Sequence, residues 1–306
     1  MKHQLLPAVL LLTATLAACS SGSSQDEPPV VIQPDTSAAP AERIPITIAP
    51  SLPSRANDYG FEASDRVGLF VVNYPSPTTP GVLAQTGNHV DNMRFTYSGT
   101  WTPDTPIYWK DADTHADFYL YYPYVSGASV TAMPFEVKAD QSTETAYRAS
   151  DMLWGKASDV TPTEDAISIP AGHVMSRIVV KVQPGNGFTA ASLAASSVSV
   201  KINNIQCSST VNLATGTATP AGERVSVTPL STSGAYIALI VPQTVPGGNL
   251  ITITVDGQDY NLSRSFTFQR GKSHTFSVTV SKTSNGVNVN ITPWDVDDED
   301  YGGVAE

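Results

Sequence analysis

The chain is predicted to be all-β, with two β-sandwich domains in tandem behind an export signal and a disordered tether. Three observations predict this. Apolar residues recur with period two over many short runs, the signature of half-buried strands. Turn residues separate those runs every ten or so positions, the spacing of sandwiches and barrels. Gly (21) and Pro (23) are plentiful while charged residues make up only 15% of the 306 residues, a balance that suits short strands joined by turns rather than helices with salt-bridged faces.

The N-terminus reads Met-Lys-His-Gln, an apolar run from Leu5 to Leu16, then Ala17-Ala18-Cys19. A charged start, a short apolar core and small residues before a cut site make residues 1–18 a secretory signal. The run is too short to span a bilayer as a permanent helix. Its ending resembles the lipobox of bacterial lipoproteins, which implies cleavage before Cys19 and attachment of lipid to the Cys19 thiol. Several acyl chains on one residue hold a protein firmly, since each buried methylene adds about 0.8 kcal/mol. Residues 19–43 are mostly Ser, Pro, Ala and Gln and read as a disordered tether. Within them Gln25-Asp26-Glu27 resembles the acidic export tag that carries lipoproteins of the Bacteroides group to the outer face of the outer membrane.

The strand patterns begin at Ile44. Ile44, Ile46 and Ile48 share one face. Val67/Leu69/Val71, Phe118/Leu120/Tyr122 and Val174 to Val182 follow, then Val198/Val200/Ile202, Ile251/Ile253/Val255, Phe276/Val278/Val280 and Val287/Val289/Ile291. Tyr236 to Val241 is apolar on both faces and reads as a central, doubly covered strand. Pro184-Gly185-Asn186-Gly187, Pro246-Gly247-Gly248-Asn249, Asp256-Gly257 and Ser284-Asn285-Gly286 are turn signals, the last one joining a hairpin. Only Ala190 to Ala195 reads as a helix. The polar stretch Ala157 to Asp165, with Pro162, is taken as the boundary, giving domains 44–166 and 167–306.

Several segments in fixed order resemble the fimbrillin family, the subunits of type V pili in the Bacteroides group. They are Ile44-Pro45-Ile46-Thr47-Ile48, Ser54-Arg55-Ala56, Phe61, and Asp65-Arg66-Val67-Gly68-Leu69-Phe70. Ile107-Tyr108-Trp109 and Asp117-Phe118-Tyr119-Leu120-Tyr121-Tyr122-Pro123 resemble its aromatic signature. Asp140-Gln141-Ser142, Ser150-Asp151-Met152-Leu153-Trp154-Gly155, His173 to Ile178 and Trp294 continue the match to the end of the chain. The resemblance implies two transthyretin-like sandwiches, export as a lipoprotein, and removal of the N-terminal strand by an Arg-specific protease. Other fimbrial subunits would then be the partners, joined by strand exchange. On this sequence the removed strand is about Ile44 to Leu52 and the cut lies between Arg55 and Ala56. Arg43 precedes the strand, so a cut there frees no groove. The candidate donor, Val287 to Val296, is interrupted by Pro293, which cannot donate to a ladder, and runs into the acidic stretch Asp295 to Asp300. That departure favours an anchor, tip or accessory subunit over a stalk subunit.

Other chemistry is weakly supported. The formal net charge of −11 repels phosphate backbones and argues against nucleic-acid binding. The membrane is reached only through the lipid, which puts the chain at the outer-membrane surface or in a fimbria. No elbow, phosphate loop or zinc spacing appears, so no catalytic residue, metal site or cofactor is assigned. Asp295 to Asp300 reads as a solvated tail rather than a calcium loop. Asp111, Asp113, His115 and Asp117 have loop-ligand spacing without a closing Glu. His173 reads as a hydrogen-bonded structural residue, and Cys207 as a small core residue. The alternative reading is a stand-alone surface lipoprotein. It would bind a host glycan or protein receptor through its loops or through the rings of Tyr119 to Tyr124.

Overall fold

The computed structural model describes residues 43–51 and 60–282, together with the backbone of 288–290. In chain order the strands are β1 (Ile48–Ser51), β2 (Arg66–Asn73), β3 (Val90–Tyr97), β4 (Trp101–Pro103), β5 (Ala116–Tyr122), β6 (Met133–Glu136), β7 (Leu153–Val160) and β8 (Ile167–His173). They continue as β9 (Ser176–Pro184), β10 (Val198–Asn212), β11 (Thr217–Val227), β12 (Leu230–Thr232), β13 (Ala235–Ile240) and β14 (Gln243–Val245). The last are β15 (Asn249–Val255), β16 (Gln258–Ser263), β17 (Phe266–Phe268), β18 (Ser273–Val280) and β19 (Asn288–Asn290). Two short helices join them: α1 (Glu144–Arg148) and α2 (Ala190–Ala195). Helix α2 lies where the sequence places it, started by a capping box between Thr189 and Ser192 that satisfies amides left free at a helix start. Helix α1 was not expected. Five residues are too few to show a helical period, and Thr143 as N-cap is its only clear signal.

One seven-stranded sheet runs β1-β8-β7-β5-β2-β3-β4. Two five-stranded sheets follow: β11-β10-β15-β16 with β6 also paired to β10, and β12-β13-β9-β18-β19. The expected boundary before Ile167 falls inside the first sheet. β8 pairs with β7 antiparallel and with β1 parallel. Ile167, Ile169 and Ala171 point into the core shared with β2 and β5. The polar stretch 157–165 is therefore the end of β7 and its turn into β8, not a linker. The alternation that begins at Ile167 is real, but alternation does not say which sheet a strand joins. β6 crosses the other way, pairing with β10 from Ser208↔Glu136 to Val211↔Met133.

The first sheet is buried on both faces. Val67, Leu69, Val71, Phe118 and Leu120 line a smaller core. The alternate residues, Phe70, Val72, Tyr119 and Tyr121, line a larger core that continues into the two other sheets through Ile178, Val200, Ile251 and Phe276. The described residues from Arg43 onward accordingly form one compact unit. β13 sits between β12 and β9 with Ile237 to Ile240 all buried, a central, doubly covered strand.

Buried polar groups tie the layers together. Gln141, fully buried, accepts from Leu239 N–H and donates to the Leu239 carbonyl at 2.8 Å each. Its side-chain amide thus completes pairing for β13. Trp154 Nε1 donates to the Leu213 carbonyl at 2.7 Å, and the Arg270 guanidinium lies 5.1 Å from the Trp154 ring. Asp117, 1% exposed, meets Lys156 Nζ at 2.8 Å and accepts from Tyr74 Oη (3.1 Å), Tyr119 Oη (3.4 Å) and Asp159 N–H (2.9 Å). A carboxylate this deep is tolerated because a cation and three donors meet its oxygens.

Two predictions follow from this packing. Asp117→Ala leaves Lys156 without its counter-charge and three donors without this acceptor. It should lower unfolding free energy by about 3 kcal/mol in urea titrations with an unchanged slope. Cys207 lies buried on β10, where burial pushes its thiol up to about 11. At pH 8 it should resist an aromatic disulfide reagent in the native protein and react fully once unfolded, since only the thiolate attacks.

Candidate functional site

The site is built on residues 44–51, the segment that closes the first sheet. Burial alternates along it: Ile46 is 2% exposed and Ile48 5%, Ile44 is half-buried, and Pro45, Thr47 and Ala49 are exposed. The β-branched side chains suit an extended backbone, and their period of two aims all three at the smaller core. Seating each fully buried isoleucine is worth about 1.5–3 kcal/mol.

The main chain is held from two sides. Ile46 N–H donates to the Ile107 carbonyl at 2.9 Å, and Trp109 N–H donates to the Ile44 carbonyl at 2.9 Å. Pro45 faces Tyr108 in that antiparallel bridge. Beyond it Ile167 N–H donates to the Thr47 carbonyl at 2.9 Å, and Ile48 to Ser51 run parallel to Ile167 to Pro170 of β8. Residues 107–109 lie in the connection between β4 and β5, so this one segment joins that connection to the β8 side of the sheet. The side chains beneath it are Ile107, Trp109, Phe118, Ile167 and Ile169, all buried. Trp109 is fixed edge-on against Phe118 at 5.4 Å and donates from Nε1 to the Thr163 carbonyl at 3.2 Å. Without residues 44–51 this region becomes an apolar slot lined by the Ile107 carbonyl and the amides of Trp109 and Ile167, all unpaired. Such a slot can accept another extended strand.

Ile107 and Trp109 as walls of the slot were not identified from the sequence as strand partners. Their alternation about Tyr108 spans only three residues, too short to read as a strand. Cys19, Arg55 and Ala56 lie outside the described residues. Arg43, at the start of the segment, sets its guanidinium 4.1 Å from the Tyr108 ring. Of the candidate donor, residues 288–290 pair antiparallel with β18 inside their own sheet, Val289 opposite Val278. The first part of Val287 to Val296 is therefore already engaged in its own chain, and residues 291–296 lie outside the described residues.

The remaining candidates are accounted for by local structure. Tyr119 and Tyr121 are 6% and 1% exposed, so neither ring presents a face for sugar stacking. Burial pushes the Tyr121 hydroxyl up to about 12; it donates to Asn92 Oδ1 at 2.6 Å. The Asp111 carboxylate accepts from Thr114 Oγ1 and from the amides of Asp113 and Thr114, which holds it below the usual carboxylate range. His115 Nδ1 lies 2.7 Å from Asp159 and His173 Nδ1 lies 2.8 Å from Asp151. Among the described residues no cluster of His, Cys, Asp and Glu could hold a metal ion, and no helix is long and apolar enough to cross a membrane.

The geometry can be set beside known proteins. A protein of Bacteroides ovatus provisionally named fimbrium tip subunit Fim1C is 27% identical over 147 residues. That match covers 42% of this chain and 26% of the relative, so the chain matches about a quarter of that relative's length. Among solved structures, one from Bacteroides uniformis, provisionally described as a cell adhesion protein, is similar with a TM-score of 0.62 and 20% identity. It covers 82% of this chain and 97% of that one. A second, from Bacteroides ovatus and described the same way, has a TM-score of 0.61 at 17% identity, with 82% and 97% covered. At these identities the two structures speak for the fold. The model of the family described as fimbrillin-like matches residues 54–294, which is most of the chain, and by that match the chain belongs to the fimbrillin-like family.

Proposed function

We propose that this chain is a structural and adhesive subunit of a type V fimbria, exported through a lipid on Cys19 and joined to other subunits by strand exchange. The observation that carries this reading is the closure of the first sheet by residues 44–51. One short segment covers the slot and satisfies both of its edges. A segment with two fully buried side chains and few main-chain bonds can leave without dismantling the sheet beneath it. An Arg-specific protease cutting between Arg55 and Ala56 would free it, taking lipid, tether and strand together. A strand from a neighbour would then restore ladder and core, and a head-to-tail contact of this kind extends into a filament instead of closing.

The engagement of Val289 with β18, together with Pro293 and the run Asp295 to Asp300, makes the C-terminus a poor donor. The relative provisionally named a tip subunit points the same way. This favours a tip, anchor or accessory position over a stalk position, since a stalk subunit must also pass a strand on. If Arg55 stays uncut, Cys19 holds the protein at the outer-membrane surface. A receptor, glycan or protein, would then meet loops rather than the Tyr119–Tyr121 face. No catalytic step is assigned to any residue.

Native trypsin digestion followed by N-terminal sequencing should yield a new terminus at Ala56 and leave the body intact. A body uncut at Arg55, monomeric and still carrying residues 44–51, would overturn the exchange reading. The slot itself can be probed with a synthetic peptide of residues 43–52. It should rebind the cleaved body, and the peptide carrying Ile46→Asp and Ile48→Asp should bind at least ~100-fold more weakly, because two buried branched side chains are lost.

A further inference from the structure

Removal of residues 44–51 creates a second problem that the fold must solve. The residue after the break, Ala56, becomes a chain end, and β2 starts at Arg66, 10 residues further on. β2 is the worst place for an end to fray. It lies between β5 and β3 in the sheet that lines both cores, and Val67 to Val72 are buried throughout. Chain ends open at low free energy unless something ties them down.

Residues 61–65 are tied to an unusual degree for a connecting segment. The Phe61 ring meets Trp101 edge-on at 4.9 Å, Tyr122 at 5.9 Å and Tyr97 at 6.2 Å. Ser64 N–H donates to the Tyr97 carbonyl at 2.9 Å, and Tyr97 N–H donates to the Asp65 carbonyl at 2.8 Å. The Asp65 carboxylate accepts from Glu62 N–H at 2.7 Å and from Tyr122 Oη at 3.1 Å. Glu62 is ion-paired with Arg148 of α1. Aromatic edge-to-face contacts add to the area that a ring buries, so the ring and the amide bonds tie the segment to β3, β4 and β5.

We propose that Phe61, seated against Tyr97, Trp101 and Tyr122 and backed by Asp65, is the clamp that stops unravelling at the new chain end when the upstream strand is released. This rests on the strand-removal reading above and adds to it a positioning residue. The clamp confines the opening to the slot and leaves β2 in register.

Arg66, the exposed first residue of β2, reports on the clamp, because trypsin can cut after it only if β2 frays. The test uses the full chain with Arg55→Gln and a site for a protease of unrelated specificity placed within residues 52–59. The break is then made without Arg55, and failure of the proposed native cleavage is separable from failure of the clamp. With Phe61 present, Arg66 should stay protected before and after the break. With Phe61→Ala it should stay protected before the break and be cut about tenfold faster than the parent after it, as expected for local opening at a freed end. Asp65→Ala keeps the ring and removes its carboxylate ties, so it should show the same order more weakly. Phe61→Leu, which keeps an apolar side chain in the seat, should restore most of the protection. Equal rates in the broken parent and broken variants would overturn the proposal. Fast cutting at Arg66 in an unbroken variant would also overturn it, since that marks general loosening instead of a clamp on an end.

Discussion

Closure of the first sheet by residues 44–51 is the constraint on which the rest of the structure depends. A seven-stranded sheet that lines two cores must have both faces covered, and the smaller core has no second sheet opposite it. The cover comes instead from the sheet's own margins: Ile46 and Ile48 on one segment, Ile107 and Trp109 on the next, Ile167 and Ile169 on β8. Main-chain bonds on both sides of residues 44–51 hold those margins together. The same economy makes the cover separable. Its side chains enter from one direction, and no residue within it is needed to build the ladder between β8, β7, β5 and β2.

The opposite face of the sheet has the reverse character. Phe70, Val72, Tyr119 and Tyr121 pack into a core shared with two further sheets. β6 is paired with β10, Gln141 with β13 and Trp154 with the β10–β11 turn. These links make the body one unit, against which a loss at the smaller core can be absorbed. The segment that covers the smaller core takes no part in the shared one: Ile46 and Ile48 lie in the first and not in the second.

Polar groups follow the same division. Deep in the sheet the Asp117 carboxylate is satisfied at short range by Lys156, Tyr74, Tyr119 and the Asp159 amide. Around residues 44–51 the polar partners are main-chain groups, which any extended peptide can supply whatever its sequence. What is particular to this segment is the apolar seating of Ile46 and Ile48.

Much of this was legible in the amino-acid order. Period-two alternation marked the strands, and Ile44, Ile46 and Ile48 declared a one-sided extended segment, because local backbone geometry alone determines which side chains share a face. What the order could not contain was partnership. β8 opens a fresh pattern at Ile167 yet pairs with β7 and β1; β6 lies early in the chain yet pairs with β10; Tyr119 and Tyr121 alternate as an exposed face would, yet a second layer covers them. Strand pairing and face covering join residues far apart in the chain, and no local signal records a contact made across such distances. The sequence by itself determined a β protein whose first extended segment has one apolar face. Tertiary structure alone decided that this segment is held from two sides, because only the folded chain brings residues 107–109 and β8 to either side of it.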